Sequence, residues 1–168
     1  MDTLALRPAT SADIEFCFDL HKSSFYQYVT EIWGWDEKDQ RAIHSRDFKL
    51  GRVQIDTANG VDVGRLDVDY GDEEIFLLLI ELLPNHRGQG LGSRLIRTVL
   101  DRAAAEGKPL VLNVLEVNRR AYELYRRLGF TEDRRFVEGP AVKLRMVADF
   151  VVHEAQVRPR RSAWPGSR

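Results

Sequence analysis

The chain has 168 residues, of which 43% are hydrophobic and 30% are charged, and its formal net charge is −1. A chain of this size can form one globular domain with an apolar core, and its balanced charge predicts neither a nucleic acid nor a membrane surface as a partner. Cys17 is the single cysteine, so a disulfide within the chain is excluded and a reducing, cytoplasmic setting is favoured. No signal-peptide pattern is present, and the longest apolar run, Ile75 to Ile80, is too short to cross a bilayer.

The N-terminal half of the chain predicts one strand, two helices and a hairpin. Their ranges are Leu4 to Arg7 (strand), Ser11 to about Tyr28 (helix), Asp36 to about Lys49 (helix), Arg52 to Thr57 (strand) and Val61 to Tyr70 (strand). Ala58-Asn59-Gly60 is typical of a hairpin turn. The apolar alternation slips by one residue at Gly64-Arg65, which predicts a β-bulge. Cys17 falls on the apolar face of the first helix, where we expect it to pack in the core.

The C-terminal half alternates strands with helices. The predicted ranges are Glu74 to Leu83 (strand), Gly90 to Glu106 (helix), Leu110 to Val114 (strand), Asn118 to Leu128 (helix), Phe130 to Phe136 (strand) and Ala141 to Ala148 (strand). The first of these strands is almost entirely apolar, which indicates a central strand buried on both faces. The pattern predicts an α/β (α+β) fold with a mixed sheet of about seven strands and about four helices.

The domain organisation follows from the same pass along the chain. Residues 1–150 carry all the predicted elements without an internal linker, so we expect a single domain. Residues 151–168 contain two prolines and show no periodicity. They are predicted to form a tail that is flexible or docked on a partner.

The stretch LLPNHRGQGLGSRL, Leu82 to Leu95, places three glycines where a strand becomes a helix: Gly88, Gly90 and Gly92. The first N–H groups of a helix have no intrahelical partner and the helix dipole adds partial positive charge, so such a turn can bind an anion. Glycines let a phosphate approach the backbone closely, and Arg87 can add a cation. A glycine-rich turn without a ligand is the alternative interpretation.

The glycine stretch does not match the common nucleotide loops, because no lysine follows as in a P-loop and the third glycine of the dinucleotide fingerprint is misplaced. It does spell RxxGxG at Arg87, Gly90 and Gly92. A second motif, NxxAxxLYxxxGF, runs from Asn118 to Phe130 after the next strand. Taken together, the two motifs resemble the GNAT superfamily, the acyl-CoA-dependent N-acetyltransferases, over Glu74 to Phe130.

The resemblance implies a mostly antiparallel sheet whose two middle strands splay apart, with the thioester of acetyl-CoA in the gap. It also implies that the glycine loop holds the pyrophosphate of coenzyme A, while the end of the preceding strand and the motif asparagine bond to the pantetheine arm. The implied cofactor-binding residues are Leu82, Leu83, Arg87, Gly88, Gln89, Gly90, Leu91, Gly92, Ser93, Asn118 and Tyr125. Asn118 can be a helix N-cap at the same time.

The resemblance gives Tyr125 the role of a general acid that protonates the departing thiolate of coenzyme A. A phenol suits this role, because charge builds on the sulfur as the thioester breaks, while a strand N–H can stabilise the carbonyl oxygen. From the helix pattern alone, Tyr125 is a core aromatic that shares a stripe with Ala121 and Leu128. Tyr122, on a neighbouring face, is the weaker candidate for the acid.

The general base departs from the family pattern. Some GNAT proteins carry Glu or His on the strand after the glycine helix, five residues before the motif asparagine, whereas this chain has Asn113 there. Glu81 is the candidate substitute, since it interrupts an apolar strand beside the expected thioester. A buried carboxylate needs a partner or its pKa rises. Glu81 can therefore bind or deprotonate an amine or form a structural ion pair, and proton transfer relayed by water is a third alternative.

In GNAT proteins the first two helices and their connection usually shape the acceptor site, which here is about residues 25–40. The predicted acceptor contacts are Tyr28, Trp33, Trp35, Glu81 and Asn113. An aromatic rim with negative charge suits a cationic amine, although the tryptophans can equally serve as a cover for the core. The histidines show no metal-ligand spacing, so no metal is expected.

These features predict an N-acetyltransferase that moves an acetyl group from acetyl-CoA to a primary amine by direct attack in a ternary complex. No serine or cysteine lies in a nucleophile motif, which argues against a covalent acyl-enzyme. The balanced charge favours a small-molecule amine over a protein or peptide amine, and the last strand and the tail can serve a homodimer. A non-catalytic acyl-CoA-binding or sensor domain and a binder of nucleotide phosphates are the alternative functions.

Overall fold

The computed structural model describes residues 3–150, and the predicted tail at 151–168 lies outside the described residues. Short 3₁₀ turns occur at Ser11–Asp13 and Pro84–His86. The strands are β1 (Leu4–Pro8), β2 (Val53–Ala58), β3 (Val61–Tyr70), β4 (Ile75–Leu82), β5 (Leu110–Leu115), β6 (Thr131–Glu138) and β7 (Ala141–Ala148). The helices are α1 (Ile14–Ile32), α2 (Glu37–Asp47), α3 (Leu91–Glu106) and α4 (Arg119–Arg127).

All of these strands form one sheet in the order β1-β2-β3-β4-β5-β7-β6. Strands β4 and β5 pair in parallel, and the other neighbouring strands within residues 3–150 pair antiparallel. Helix α3 connects β4 to β5, because parallel neighbours need a crossover connection rather than a hairpin. The predicted mixed, mostly antiparallel sheet of about seven strands with about four helices is confirmed.

The two middle strands separate after a short paired stretch. Residues 75–77 of β4 pair with residues 110–112 of β5, although β4 continues to Leu82 and β5 to Leu115. The pairing of β4 with β3 shifts register at the same point, and Leu78 has no partner there. A bulge of this kind bends a strand, so it turns β4 away from β5. The splay that the resemblance implied is therefore present.

The main core lies between the sheet and helices α3 and α4. Its buried apolar residues come from four strands of the sheet, from both helices and from the turn after α4; they include Leu66, Ile75, Leu77, Ile96, Val99, Leu110, Leu112, Phe130 and Met146. A smaller cluster joins α1 to β2 and includes Cys17 and Ile55. Burial raises the pKa of the Cys17 thiol to about 11, so Cys17 is an unreactive core residue, as predicted.

Helix α1 extends further than the sequence pattern predicted. The predicted end was near Tyr28, but the helix continues to Ile32 and stops just before Gly34, whose φ is +78°. Val29 is buried in this extension. Packing of Val29 against the rest of the molecule stabilises the extra turn, and local residue preferences do not report such tertiary contacts. The interpretation of the segment after Tyr28 as a turn was therefore wrong for its first residues.

The β2–β3 hairpin contains the predicted bulge, one residue earlier than expected. Asp56 of β2 faces Gly64, while the next residue of β2 faces Asp62, so Val63 is the extra residue of β3. The alternation of apolar residues slipped because an extra residue in one strand shifts all later side chains to the other face. Asp56, which is buried, lies directly beside this register shift.

Candidate active site

A cavity of about 450 Å³ lies beside the part of β4 that no longer pairs with β5. Helix α1 forms one wall, and the end of β4, the glycine loop and α4 form the others. The lining residues are Ser24, Phe25, Tyr28, Ile80, Glu81, Leu82, Arg87, Gly88, Gly90, Gly92, Ser93, Asn118, Arg120, Ala121, Leu124, Tyr125 and Arg127. The cavity thus joins the two sequence motifs in one place.

The glycine loop presents a bare backbone to this cavity. Gly88 and Gly90 have φ values of +75° and +81°, a conformation that glycine adopts without the steric cost of a side chain. A Cβ at Gly90 would meet nothing within 4 Å, so the space beside the backbone is open. The N–H of Arg94 bonds to the Gly90 carbonyl, so the N–H groups of residues 91–93 have no intrahelical partner. This geometry suits an anion such as a diphosphate.

Three arginines, Arg87, Arg120 and Arg127, line the same cavity. Arg87 is fixed in the wall, because its Nε donates to the Leu82 carbonyl at 2.7 Å and its Nη2 donates to two serine hydroxyls of α1 at 3.0 and 3.1 Å. Burial and then the charge of Arg120 lower the pKa of Arg87, but an arginine stays protonated in proteins. Arg120 lies beside the loop, with its Nη2 3.8 Å from the Cβ position of Gly88. The cavity therefore combines free N–H groups with positive charge.

Tyr125 reaches the cavity from α4 and is a protonated phenol. Its ring packs edge-on against Phe130, with 5.7 Å between the ring centroids. Burial raises the pKa of Tyr125 to about 12, so its hydroxyl keeps its proton at neutral pH. Within the described residues this hydroxyl has no hydrogen-bond partner, whereas that of Tyr122 donates to Glu132. The hydroxyl of Tyr125 is thus available as a donor to a bound molecule.

Asn118 joins α4 to α1 at the edge of the cavity. Its Oδ1 accepts hydrogen bonds from the N–H of Ala121 at 3.1 Å and from the hydroxyl of Tyr28 at 3.3 Å. The first bond makes Asn118 the N-cap of α4, as expected from the sequence. Because the oxygen is used, the side-chain amide nitrogen, a donor, is the atom that remains for a ligand.

Glu81 belongs to a buried ion pair. Its side chain is 0% exposed, its Oε2 lies 2.8 Å from Nε of Arg65, and its Oε1 lies 2.7 Å from Nδ1 of His21. Burial alone would raise the pKa of Glu81, but Arg65 and His21 outweigh it and hold the pKa below the usual value. Nη1 of Arg65 also lies 3.1 Å from Nε2 of His44. Burial lowers the pKa of His44 to about 4. Glu81 is therefore an ionised carboxylate inside a fixed polar network.

The cavity brings together most of the residues that the sequence predicted for the site. Those that line it are Tyr28, Glu81, Leu82, Arg87, Gly88, Gly90, Gly92, Ser93, Asn118 and Tyr125. Leu83, Gln89 and Leu91 lie next to them but do not line it. The N–H of Leu83 bonds to the Val63 carbonyl, the Gln89 amide donates to the Asn85 carbonyl, and Leu91 is buried in a core cluster.

The structure places Trp33, Trp35 and Asn113 outside the cavity lining. Trp35 packs on Tyr26 with 5.1 Å between their ring centroids, and its Nε1 donates to Glu37 at 2.9 Å. Trp33 is 47% exposed, and Asn113 is exposed on β5. Trp35 thus fits the interpretation as a cover for α1 and α2, while contact of these residues with an acceptor stays a prediction.

Sequence reasoning missed several residues around the cavity. Phe25 and His21 precede Tyr28 on α1 at helical spacing, so the three share one face of that helix. Arg120 and Arg127 are seven positions apart on α4, which also places them on one face. Both spacings are readable in the sequence, but they indicate a site only once the neighbouring elements are known.

Metal binding and membrane spanning were both predicted to be absent. Among residues 3–150, no group of three or more His, Cys, Asp or Glu side chains is arranged to hold a metal ion. In the same part of the chain, no helix has both the length and the apolar character that crossing a membrane needs. Neither finding tests the tail, so both absences stay predictions.

The chain is similar to two mammalian proteins over part of its length. The thialysine N-epsilon-acetyltransferase of Bos taurus is 42% identical over 98 residues, which cover 52% of this chain and 57% of the relative. The protein of the same name from Mus musculus is 33% identical over 88 residues, covering 46% and 52%. The chain therefore spans about half the length of these relatives.

The fold is also found among solved structures. The PaiA N-acetyltransferase from Thermoplasma acidophilum, solved in complex with coenzyme A, superposes with a TM-score of 0.65 at 14% sequence identity, covering 85% of this chain and 98% of that one. At this identity the likeness establishes the fold alone.

A family model matches residues 14–130 of the chain, which is well over half of it. The matched range includes every element that forms a wall of the cavity, from α1 through the glycine loop to α4. The chain belongs to the acetyltransferase (GNAT) family.

Proposed function

We propose that this protein transfers an acetyl group from acetyl-CoA to a primary amine of a small molecule, by direct attack of the amine in a ternary complex. One observation carries the proposal. The cavity beside the part of β4 that no longer pairs with β5 is lined by both the glycine loop and Tyr125. An anion-binding loop and a proton donor thus border the same cavity.

Coenzyme A fits the residues that are present. The free N–H groups of residues 91–93 and the open space at Gly90 suit its pyrophosphate, and Arg120 and Arg127 add positive charge nearby. Arg87 holds the glycine loop in place, since its guanidinium donates hydrogen bonds to β4 and α1. The amide nitrogen of Asn118 is available to the pantetheine arm.

The exposed edge of β4 supplies further donors to the gap. The N–H of Leu83 bonds to β3, and backbone groups alternate sides along an antiparallel strand. The N–H groups of Leu82 and Ile80 therefore point away from β3, toward the gap. One of them can stabilise the oxygen of the thioester carbonyl during attack, while the neutral phenol of Tyr125 gives its proton to the leaving sulfur.

A small amine is the acceptor class that we favour. The two mammalian proteins to which part of the chain is similar are named thialysine N-epsilon-acetyltransferases. A lysine-like side-chain amine is therefore the first acceptor to test. Glu81, an ionised carboxylate that lines the cavity, can attract an ammonium group.

The experiment is a thermal melt followed by a turnover assay. Acetyl-CoA, coenzyme A, ATP and NAD are compared at a concentration about 100 times the dissociation constant of the tightest ligand. Binding then adds about 2.7 kcal/mol to the free energy of unfolding, which raises the midpoint by roughly 5–10 °C for a chain of this size. Thiol release is next measured with acetyl-CoA and with thialysine, lysine and a short peptide as acceptors.

Each outcome decides between the candidate functions. A shift with acetyl-CoA and coenzyme A, together with thiol release by a small amine, supports the proposal. Turnover with the peptide alone would mean that the acceptor is the amine of a protein N-terminus or side chain and not a small molecule. A shift without any turnover would favour a non-catalytic acyl-CoA-binding domain, and a shift with ATP or NAD would replace the proposal by a nucleotide-binding function.

A further inference from the structure

On α1, His21 lies one turn before Phe25 and two turns before Tyr28. Phe25 and Tyr28 line the cavity, and His21 shares their face of the helix because the three are spaced by four and three residues. The rings of His21 and Phe25 stack, with their centroids 4.9 Å apart and an angle of 23° between their planes. The side chain of His21 is 20% exposed, so its ring is packed but remains accessible.

The contact with Glu81 determines which nitrogen of His21 carries the proton. Oε1 of Glu81 lies 2.7 Å from Nδ1 of His21, and an ionised carboxylate can only accept a hydrogen bond. The Nδ1 atom must therefore hold a hydrogen in the neutral ring. The lone pair of the neutral imidazole is then on Nε2, which makes Nε2 the basic atom.

Glu81 itself is poorly suited to receive a proton from a substrate. Its side chain is 0% exposed, and its two oxygens are in contact with Arg65 and His21. These contacts stabilise the ionised form. His44 of α2 is a second titratable group near His21, with 6.4 Å between the ring centroids, and its Nε2 lies 3.1 Å from Nη1 of Arg65. Of this network, His21 is the member that combines a basic atom with exposure.

We propose that His21 is the proton acceptor for the amine substrate and that Glu81 is the positioning residue that orients it. Nε2 takes a proton from the ammonium group, and the imidazolium that forms is stabilised by the Glu81 carboxylate. The lone pair of the amine nitrogen then forms a bond to the acetyl carbon while the C–S bond of the thioester breaks. The amine nitrogen loses a second proton as the amide forms. Tyr125 gives its proton to the coenzyme A sulfur and regains one of these two protons, and His21 releases the other to water.

This inference rests on the proposed function, and its test separates a base from a structural residue. His21→Asn keeps a side-chain N–H that can donate to Glu81 but removes the basic atom. The acceptors are lysine and its aminooxy analogue, in which oxygen replaces the carbon next to the side-chain nitrogen. The aminooxy group is neutral at pH 7 because the oxygen withdraws electrons, so it needs no base before it attacks. The control is Asp19→Asn, because Asp19 is exposed and lies about 200° around the axis of α1 from His21.

For His21→Asn we expect kcat/KM with lysine to fall about 10²-fold, and kcat/KM with the aminooxy analogue to change less than about threefold. The shift of the melting midpoint with acetyl-CoA should be retained. An equal loss with both acceptors would make His21 a structural residue, and no loss with either would leave the proton to water. If the native protein acetylates neither acceptor yet binds acetyl-CoA, the lysine-like acceptor class fails and the assignment of His21 falls with it.

A second measurement does not depend on a variant or on an acceptor. The ¹⁵N chemical shifts of the His21 ring in the native protein report which nitrogen carries the hydrogen. In the neutral ring we expect the hydrogen on Nδ1. A neutral ring with its hydrogen on Nε2 would overturn the proposal, because the basic atom would then be the one that contacts Glu81.

Discussion

The two tyrosines of α4 occupy different environments although they are three residues apart. Tyr125 lines the cavity and has no hydrogen-bond partner within residues 3–150. Tyr122 is buried at 5% exposure outside the cavity lining, and its hydroxyl donates to Glu132. The helix pattern alone could not separate the two, because both rings are aromatic and both face inward. The difference arises from which neighbouring element lies opposite each ring.

Replacing each tyrosine by phenylalanine tests the proton donor. We expect Tyr125→Phe to lower kcat about 10²-fold or more, since the leaving sulfur loses its acid, with the affinity for acetyl-CoA nearly unchanged by calorimetry. Because its pKa is raised to about 12, the native phenol should stay a donor over the whole neutral range. Tyr122→Phe is the matched control and should keep its turnover. Equal kcat values in the two variants would remove Tyr125 from this role.

At the scale of elements, α3 begins and ends with a glycine in the same unusual conformation. Gly90 at its start has φ +81° and Gly107 at its end has φ +64°, and a Cβ at either position would meet nothing within 4 Å. A side chain therefore fits in both places but is strained by the backbone. The two ends differ in surroundings, because Gly90 borders the cavity with its free N–H groups, whereas Gly107 follows the last turn of the helix.

Alanine substitutions at the two glycines separate strain from ligand binding. Each variant should lose about 1 kcal/mol of unfolding free energy, measured as a midpoint lower by roughly 2–4 °C. Gly90→Ala should in addition weaken acetyl-CoA binding about tenfold, because the methyl group occupies the approach of the pyrophosphate. Gly107→Ala should bind as tightly as the native protein. The loop assignment would be contradicted by two variants with the same affinity.

The helices and strands were largely predictable from the sequence, and the places where their ends were mispredicted show why. Strands β4 and β5 were readable as apolar runs and α3 as a strong apolar stripe, because these patterns are local. The end of α1 was not, since Val29 is held by tertiary packing. The same holds for the site. The motif residues Gly90 and Asn118 were predictable from spacing, whereas the contact of His21 with Glu81 joins residues that are far apart in the chain.

At the scale of the whole molecule, Asp56 links folding stability to pH. Its side chain is 0% exposed, and neither carboxylate oxygen has a hydrogen-bond partner among the described residues. Burial raises the pKa of Asp56 to about 7. Asp56 faces Gly64 at the point where the register of β2 and β3 shifts. An ionised carboxylate in such a place is costly, and a protonated one is much less so.

The sign of the effect follows from proton binding. The native state keeps a proton on Asp56 up to about pH 7, while the unfolded chain releases it near its ordinary pKa of about 4. The stabilisation from this group is therefore complete below about pH 4, falls as the pH rises to about 7, and stays level above that.

The variant Asp56→Asn tests this pH dependence, because the asparagine side chain cannot ionise. Relative to the native protein, its unfolding free energy should rise by about 3 kcal/mol between pH 5 and pH 8, as measured by urea denaturation at both values. Asp101→Asn, at an exposed position of α3, should show no such change. A difference between Asp56→Asn and the native protein that is the same at both pH values would mean that Asp56 is already ionised, and paired, at pH 5.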